Sequence, residues 1–400
     1  MPAVEIKPGI HWIGVNDRTT DLFEGLWPIA QEGVSYNSYL VTGEQTAIID
    51  LSKSIKVDEF ISQVEEVTDL SRIDYLVVNH LEPDHAGLLS IFRRLAPRVT
   101  ILGSAKAVDL LNKFFAITDN VRAVADGETL SLGGKELMFV STPFVHWPET
   151  IMTYETSGRV LFSCDAFGGY GAIRGALFDD ECVNHDFYES EALRYYSNIV
   201  SSFSARVSAA IEKLAGLPIE VVAPSHGLVW RENPGRIVSL YKKWAGYAAG
   251  PAEPGITLVY GSMYGNTEKM MNAVAQGISS AGVPLQIFDA ARTHASYILA
   301  SLWTNSGVVI GAPTYEVRLF PPVAQVLNEA SLKHVSNKKA AYFGSFGWSG
   351  GALKEMKRIV DPLKWDIIQT LEFNGCPRRE DLRKGEELGR QFAGLITREK

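Results

Sequence analysis

The sequence has little cysteine: Cys164, Cys182 and Cys376 are its three, and no two of them form a CxxC pair. That excludes a disulfide-built scaffold, and equally a cysteine-ligated iron or iron–sulfur module within this chain. No run approaches the roughly 20 apolar residues that a membrane helix needs, and the amino terminus, MPAVEIKPGIHW, has no basic stretch followed by an apolar one. A cytoplasmic protein without a membrane partner is expected. No block of Lys and Arg stands out and the net charge is −8, which argues against nucleic acid as a partner. Internal repeats, low-complexity runs and long charge blocks are also missing. What is present is a globular balance, 46% hydrophobic and 21% charged, in 400 residues, more than one core ordinarily supports. Two domains are expected.

Strand-like runs (SYNSYLV, TAIIDL, YLVVNH, VTILGS) alternate with helical ones (KVDEFISQVEEV, GLLSIFRRLA, AKAVDLLNKFF) up to about residue 135, the pattern of a layered α/β domain. A second set follows: ELMFVST, TIMTYETSGRVLFSC with a turn at Ser157-Gly158, one long helix over SEALRYYSNIVSSFSARVSAAIEKLA, then EVVAPSHG. The run GPAEPG, with Gly250, Pro251, Pro254 and Gly255, marks a boundary, so the domains are read as residues 1–250 and 251–400. From Ile256 the text restarts as ITLVYGS, EKMMNAVAQGISSA, LQIFDA, GVVIGAP, PPVAQVLNEA, KAAYFGS and ALKEMKRIVD, a doubly wound parallel sheet of the flavodoxin type.

The stretch NHLEPDHAGLL places His80, Glu82, Asp84 and His85 directly after the apolar run YLVV. A lone histidine in a loop is ordinarily a solvated or capping residue. Here His80, His85, His146 and His226 each follow a predicted strand, as does Asp165 after RVLFSC, and carboxyl ends of strands in α/β layers converge on one edge. With Glu82 and Asp84 the cluster would hold four imidazoles and three carboxylates, too much buried charge to tolerate without cations. Two metal ions suit it better than one.

The spacing H-x-E-x-D-H, with His, Asp and His downstream, resembles the metallo-β-lactamase superfamily over roughly residues 1 to 250, and the resemblance implies an αββα sandwich with a binuclear site. The hydrolases of that superfamily carry a second histidine where this chain has Glu82. The extra carboxylate favours iron, which must reach the ferric state, over zinc, which has no redox chemistry.

In the second domain, Ser262-Met263-Tyr264-Gly265-Asn266-Thr267 leads from a strand into a helix and forms a phosphate cradle without the Lys of a Walker A loop or the G-x-G-x-x-G of a dinucleotide fold. Two later loops each follow a strand and carry an aromatic among small residues: Gly311-Ala312-Pro313-Thr314-Tyr315-Glu316 and Ser345-Phe346-Gly347-Trp348-Ser349-Gly350. Such loops can sandwich a flat heterocycle. Together the three resemble flavodoxin's FMN site over roughly residues 255 to 400.

A metallo-β-lactamase-like domain with H-x-E-x-D-H fused to a flavodoxin-like domain resembles the flavodiiron proteins over the whole chain. The resemblance implies reduction of O2 to water or NO to nitrous oxide at two irons, with FMN relaying electrons from a small donor such as rubredoxin. It also implies a head-to-tail homodimer, or a tetramer built from it, in which FMN of one chain meets the irons of the other. One iron would take His80, Glu82 and His146, the other Asp84, His85 and His226, with Asp165 bridging. Trp147 and Pro148 are read as packing that orients His146. Many relatives have F-H-G where this chain has Phe23-Glu24-Gly25, so Glu24 is either a pocket residue or a surface one. Residues Ala166 to Tyr170 also lack the Gln-His of many relatives, and Tyr195 and Tyr196 are candidates to offer a hydroxyl to bound substrate or to sit in the core. Cys164 reads as a core residue. The alternative is a binuclear zinc metallohydrolase with a flavodoxin-like accessory domain.

Overall fold

The computed structural model describes residues 1–397 and divides into two units, Met1–Tyr195 with Ala205–Lys242, and Tyr196–Ser204 with the described residues from Lys243 on. The division falls at Lys242 rather than at 250, and Tyr196–Ser204 goes with the second unit.

The first unit has two sheets. One orders its strands Val4–Lys7, Ile10–Trp12, Tyr39–Thr42, Thr46–Ile49, Tyr75–Val77, Thr100–Gly103 and Val121–Ala123; the other runs Thr129–Ser131, Glu136–Ser141, Ile151–Glu155, Val160–Cys164 and Val221–Pro224. Strands such as Thr46–Ile49, Val160–Cys164 and Val221–Pro224 are buried at every position, as expected of strands covered on both faces. The sheets meet face to face where the Tyr39 ring lies 5.0 Å from Phe162 and the Tyr39 hydroxyl donates to the Pro224 carbonyl at 2.7 Å. Outside them lie helices with one buried stripe, as in Val57–Val67, which buries Phe60 and Val64.

The helix expected over SEALRYYSNIVSSFSARVSAAIEKLA is not continuous. An α-helix, His185–Tyr195, gives way to a π-helical turn at Tyr196–Val200 and a 3₁₀ turn at Ser201–Phe203 before the α-helix Ser204–Leu214. The wide turn is held by tertiary bonds rather than local propensity: Asn198 exchanges side-chain bonds with Ser296, and the Ser201 hydroxyl donates to the Lys333 carbonyl.

The second unit is a parallel sheet ordered Leu285–Asp289, Glu253–Tyr260, Asn305–Gly311, Lys339–Phe346, Asp366–Asn374, the flavodoxin order. Its helices include Asn266–Ser280, Pro321–Leu332 and Ala352–Val360, as the sequence suggests, and also Ala295–Thr304 and Arg379–Thr397, which it did not suggest. Among the described residues no helix is long and apolar enough to cross a membrane.

Candidate metal centre and flavin pocket

All seven predicted ligands converge at the carboxyl ends of first-unit strands. His80 follows Tyr75–Val77; Asp84 and His85 sit on the short helix Pro83–Ala86 just beyond; His146 follows Glu136–Ser141; Asp165 and His226 follow Val160–Cys164 and Val221–Pro224. The ligand atoms of His80, Glu82, His146 and Asp165 lie within 4.8 Å of one another, and so do those of Asp84, His85 and His226.

Asp165 joins the groups. Its Oδ1 is 3.0 Å from His85 Nε2 and 3.3 Å from His226 Nε2, while Oδ2 is 3.4 Å from His80 Nε2 and 3.3 Å from His146 Nε2. Glu82 Oε2 stands 3.2 and 3.1 Å from the His80 and His146 nitrogens, and Asp84 Oδ2 3.2 Å from His226 Nε2. Both Asp84 oxygens, Asp165 Oδ2 and His226 Nε2 are buried without a hydrogen-bond partner. Buried polar atoms are ordinarily paired, so orphans converging on one point fit cations held between them.

The electrostatics agree. Burial by itself would lower the histidines, yet hydrogen bonds and charge from the carboxylates outweigh it: His80 rises to about 9, and His85 and His146 to about 10. Burial would raise Glu82 and Asp165, yet the imidazoles hold both below the ordinary carboxylate range. Protons stand where cations would, and imidazole and carboxylate donors suit iron.

An outer ring of partners escaped the sequence reading. Glu149, fully buried, places Oε1 2.7 Å from His80 Nδ1 and also accepts from the Leu81 N–H. His226 Nδ1 lies 2.7 Å from the Ser35 carbonyl oxygen. An acid in the HWPET loop was the one signal available for Glu149; a backbone carbonyl leaves none. Trp147 stands edge-on to His80 at 5.0 Å, nearer than to His146 at 6.3 Å.

Aromatic rings wall the His226 side: Phe23, Tyr36 and Tyr195 lie 5.6, 5.8 and 5.5 Å from its ring. Burial first, then the Asp165 and Asp84 charges, push the Tyr195 hydroxyl far up, so it stays protonated as a donor. Tyr196 is placed in the second unit instead, its hydroxyl paired with Ser204 and its ring against Trp244 and Trp303, because the π-helical turn starts at this residue. Glu24 is exposed on the turn between Leu22–Phe23 and Trp27–Pro28 and accepts from Trp27 Nε1 at 3.1 Å. Cys164 is buried.

In the second unit the three predicted loops surround a cavity of about 400 Å³. Ser262, Met263, Tyr264, Asn266 and Thr267 line it from one loop; Pro313, Thr314, Tyr315 and Glu316 from another; Ser345, Phe346, Gly347, Trp348 and Ser349 from the third, with Val317 and Gly375 in addition. Gly265 and Gly350 shape the loops without lining the cavity. Gly265, at φ 84°, turns the chain into the helix Asn266–Ser280 and donates to Ser262 Oγ at 3.0 Å. The lining holds hydroxyls and a helix N-terminus that suit a phosphate, with Glu316 as a charged side chain and no Lys or Arg. Tyr264 and Trp348, 90% and 97% exposed, leave their ring faces open to a flat ligand.

Residues 34–227 match the family model described as ODP family beta lactamase, and residues 258–389 match the flavodoxin model. The anaerobic nitric oxide reductase flavorubredoxin of Escherichia coli O1:K1 is 38% identical over 397 residues, 98% of this chain and 82% of that protein. The chain belongs to the flavodiiron protein family. Among solved structures, rubredoxin oxygen:oxidoreductase from Desulfovibrio gigas superposes with a TM-score of 0.94 at 29% identity, covering 99% of both chains. The flavodiiron protein from Giardia intestinalis gives 0.92 at 28% identity, over 99% of this chain and 97% of that one. This flavodiiron protein is thus an oxidoreductase with FMN and a di-iron centre as its cofactors, and the hydrolase alternative loses its support.

Proposed function

We propose that this flavodiiron protein reduces a diatomic gas, dioxygen to water or nitric oxide to nitrous oxide, with electrons from a small donor of the rubredoxin type. The observation that carries the reading is a pair of buried ligand groups joined through one carboxylate, Asp165, in a chain that also has a flavin-sized cavity. His80, Glu82 and His146 would hold one iron, Asp84, His85 and His226 the other, and the Ser262–Thr267, Pro313–Glu316 and Ser345–Gly350 loops the FMN. When bound, these groups supply the electron storage and transfer that gas reduction requires.

The chain's own residues do the rest. Asp165 faces all four imidazoles and keeps both positions in one anionic frame. Phe23, Tyr36 and Tyr195 exclude water from the His226 side, while the protonated Tyr195 hydroxyl can donate a hydrogen bond there. In this reading electrons pass from FMN of one copy to the irons of a second in a homodimer.

The test is anaerobic purification with iron and flavin analysis, then O2 and NO consumption with a reduced donor. About two irons and one FMN per chain with turnover of either gas are expected. Zinc at that stoichiometry in iron-replete protein, or no gas consumption by fully loaded protein, would overturn the reading.

A further inference from the structure

We infer that Glu149 is a positioning residue that makes the two metal positions unequal, so that the position of His80, Glu82 and His146 binds its ion more tightly than that of Asp84, His85 and His226. The inference rests on the di-metal reading above.

The inner ligands alone give no reason for a difference. Each group has two imidazoles and one carboxylate of its own, and Asp165 turns one oxygen to each. The outer partners differ. His80 Nδ1 meets the Glu149 carboxylate at 2.7 Å, and that carboxylate is fixed by the Leu81 N–H at 3.1 Å and by complete burial. The Glu149 backbone is held too, its carbonyl accepting from the Ser104 hydroxyl at 2.7 Å. In the other group, among the described residues, His226 Nδ1 has the neutral Ser35 carbonyl as its partner and His85 Nδ1 is buried without one. Asp50, a buried carboxylate whose charge also reaches His85, accepts from the Asn79 N–H at 2.7 Å.

A carboxylate on the far nitrogen of a metal-bound imidazole fixes the ring and its tautomer and makes the near nitrogen a stronger donor. A backbone carbonyl does this more weakly, and an unpaired nitrogen not at all. Such an outer partner is worth about 10- to 100-fold in metal affinity. That is enough to separate two otherwise matched positions.

The experiment titrates metal-free, FMN-loaded protein with Co2+ against a competing chelator, following the visible bands of the bound ion. Wild type should take up two equivalents in two phases. Glu149→Gln keeps the shape but removes the charge, and it should weaken the tighter phase by about 10-fold. Glu149→Ala, which frees the His80 ring, should weaken it by about 100-fold. The weaker phase should not move, and a wild-type circular dichroism spectrum and melting curve report that the first unit is folded. Superimposable curves for wild type and both variants, or a shift confined to the weaker phase, would overturn the inference while leaving the di-metal reading intact. Failure of wild type to take up two Co2+ would overturn that reading and the inference with it.

Discussion

The flavin cavity depends on a close approach that a single methyl group would spoil. Gly351 caps the helix Ala352–Val360 at φ 146°, and a Cβ there would fall 2.7 Å from the Val317 carbonyl carbon and closer still to its oxygen. Ordinary carbon–carbon contact is about 3.5 Å, so helix and loop would have to part by at least about 0.8 Å. The loop has little slack. Glu316 and Val317 already hold φ of 48° and 60°, conformations that carry about 1 to 3 kcal/mol of strain each, and the Leu319 N–H is tied to Glu355 Oε2 at 2.7 Å. Overpacking of this kind costs about 1 to 3 kcal/mol, and the positive φ adds to it. If about 3 kcal/mol is relieved by moving the Pro313–Val317 wall, Gly351→Ala should raise the Kd for FMN roughly 100-fold. Gly350→Ala is the control, since its Cβ would meet only Glu372 Oε1, at 3.8 Å. Flavin fluorescence titration of deflavinated protein, with metal content measured in parallel, reads the effect. Wild-type FMN affinity in Gly351→Ala, or an equal loss in Gly350→Ala, would refute the reasoning.

Asp165→Asn removes the charge shared by both metal positions, so iron content should fall with FMN retained and turnover should drop at least about tenfold; metal analysis and gas uptake check it. Lys338 is buried with the Trp303 and Asn305 carbonyls as acceptors, at 2.9 and 2.8 Å, and burial lowers it from 10.5 to about 7. The unfolded chain therefore binds the extra proton between pH 7 and 10.5, stability rises with pH across that window, and Lys338→Met should flatten the rise and add on the order of 1 to 3 kcal/mol below pH 7, read by urea-induced FMN release. For transfer between copies, a hybrid of an Asp165→Asn, His226→Ala chain with a Thr267→Arg chain should consume O2 where neither parent does. Hybrids with confirmed cofactor loading that remain as inactive as the parents would refute it.

That the candidate ligands come together was legible because two regularities act at once: strand ends in α/β layers gather on one edge, and H-x-E-x-D-H sets four donors within six residues. The flavin loops were legible for the same reason, each lying just past a strand. Elements whose causes lie in distant contacts were not. Ala295–Thr304 is apolar on most of its circumference, so it shows no helical stripe, and Arg379–Thr397 carries Gly385, Gly389 and Gly394. Each internal glycine disfavours a helix by about 1 kcal/mol. Here Gly385 and Gly389 serve close packing against Asn266–Ser280: a Cβ at Gly389 would lie 3.0 Å from Ile278 N, one at Gly385 3.5 Å from Val274 Cγ2, and one at Gly277 on the facing helix 2.8 Å from the Glu386 carbonyl carbon. The π-helical turn at Tyr196 is of the same kind, since its signal is Asn198 meeting Ser296, 98 residues away.

The metal site shows where that limit falls within a single cluster. The chemistry of the inner ring is written in side chains, and Glu82, standing where hydrolases of the superfamily have an imidazole, already implies a more anionic site suited to a redox metal. The orientation of that ring is written partly in backbone atoms, such as the Ser35 carbonyl behind His226, and partly in one acid, Glu149, that only the fold brings to His80. Glu82 and Glu149 then add their charge to the same position. A charge change in either should therefore act first on the ion at His80 and His146, whereas Asp165 acts on both, and comparing Glu82→Gln, Glu149→Gln and Asp165→Asn in one Co2+ titration would separate the two patterns. Equal loss of both equivalents in all three variants would mean that the cluster responds as a unit, and that the distinction drawn from the outer partners has no energetic content.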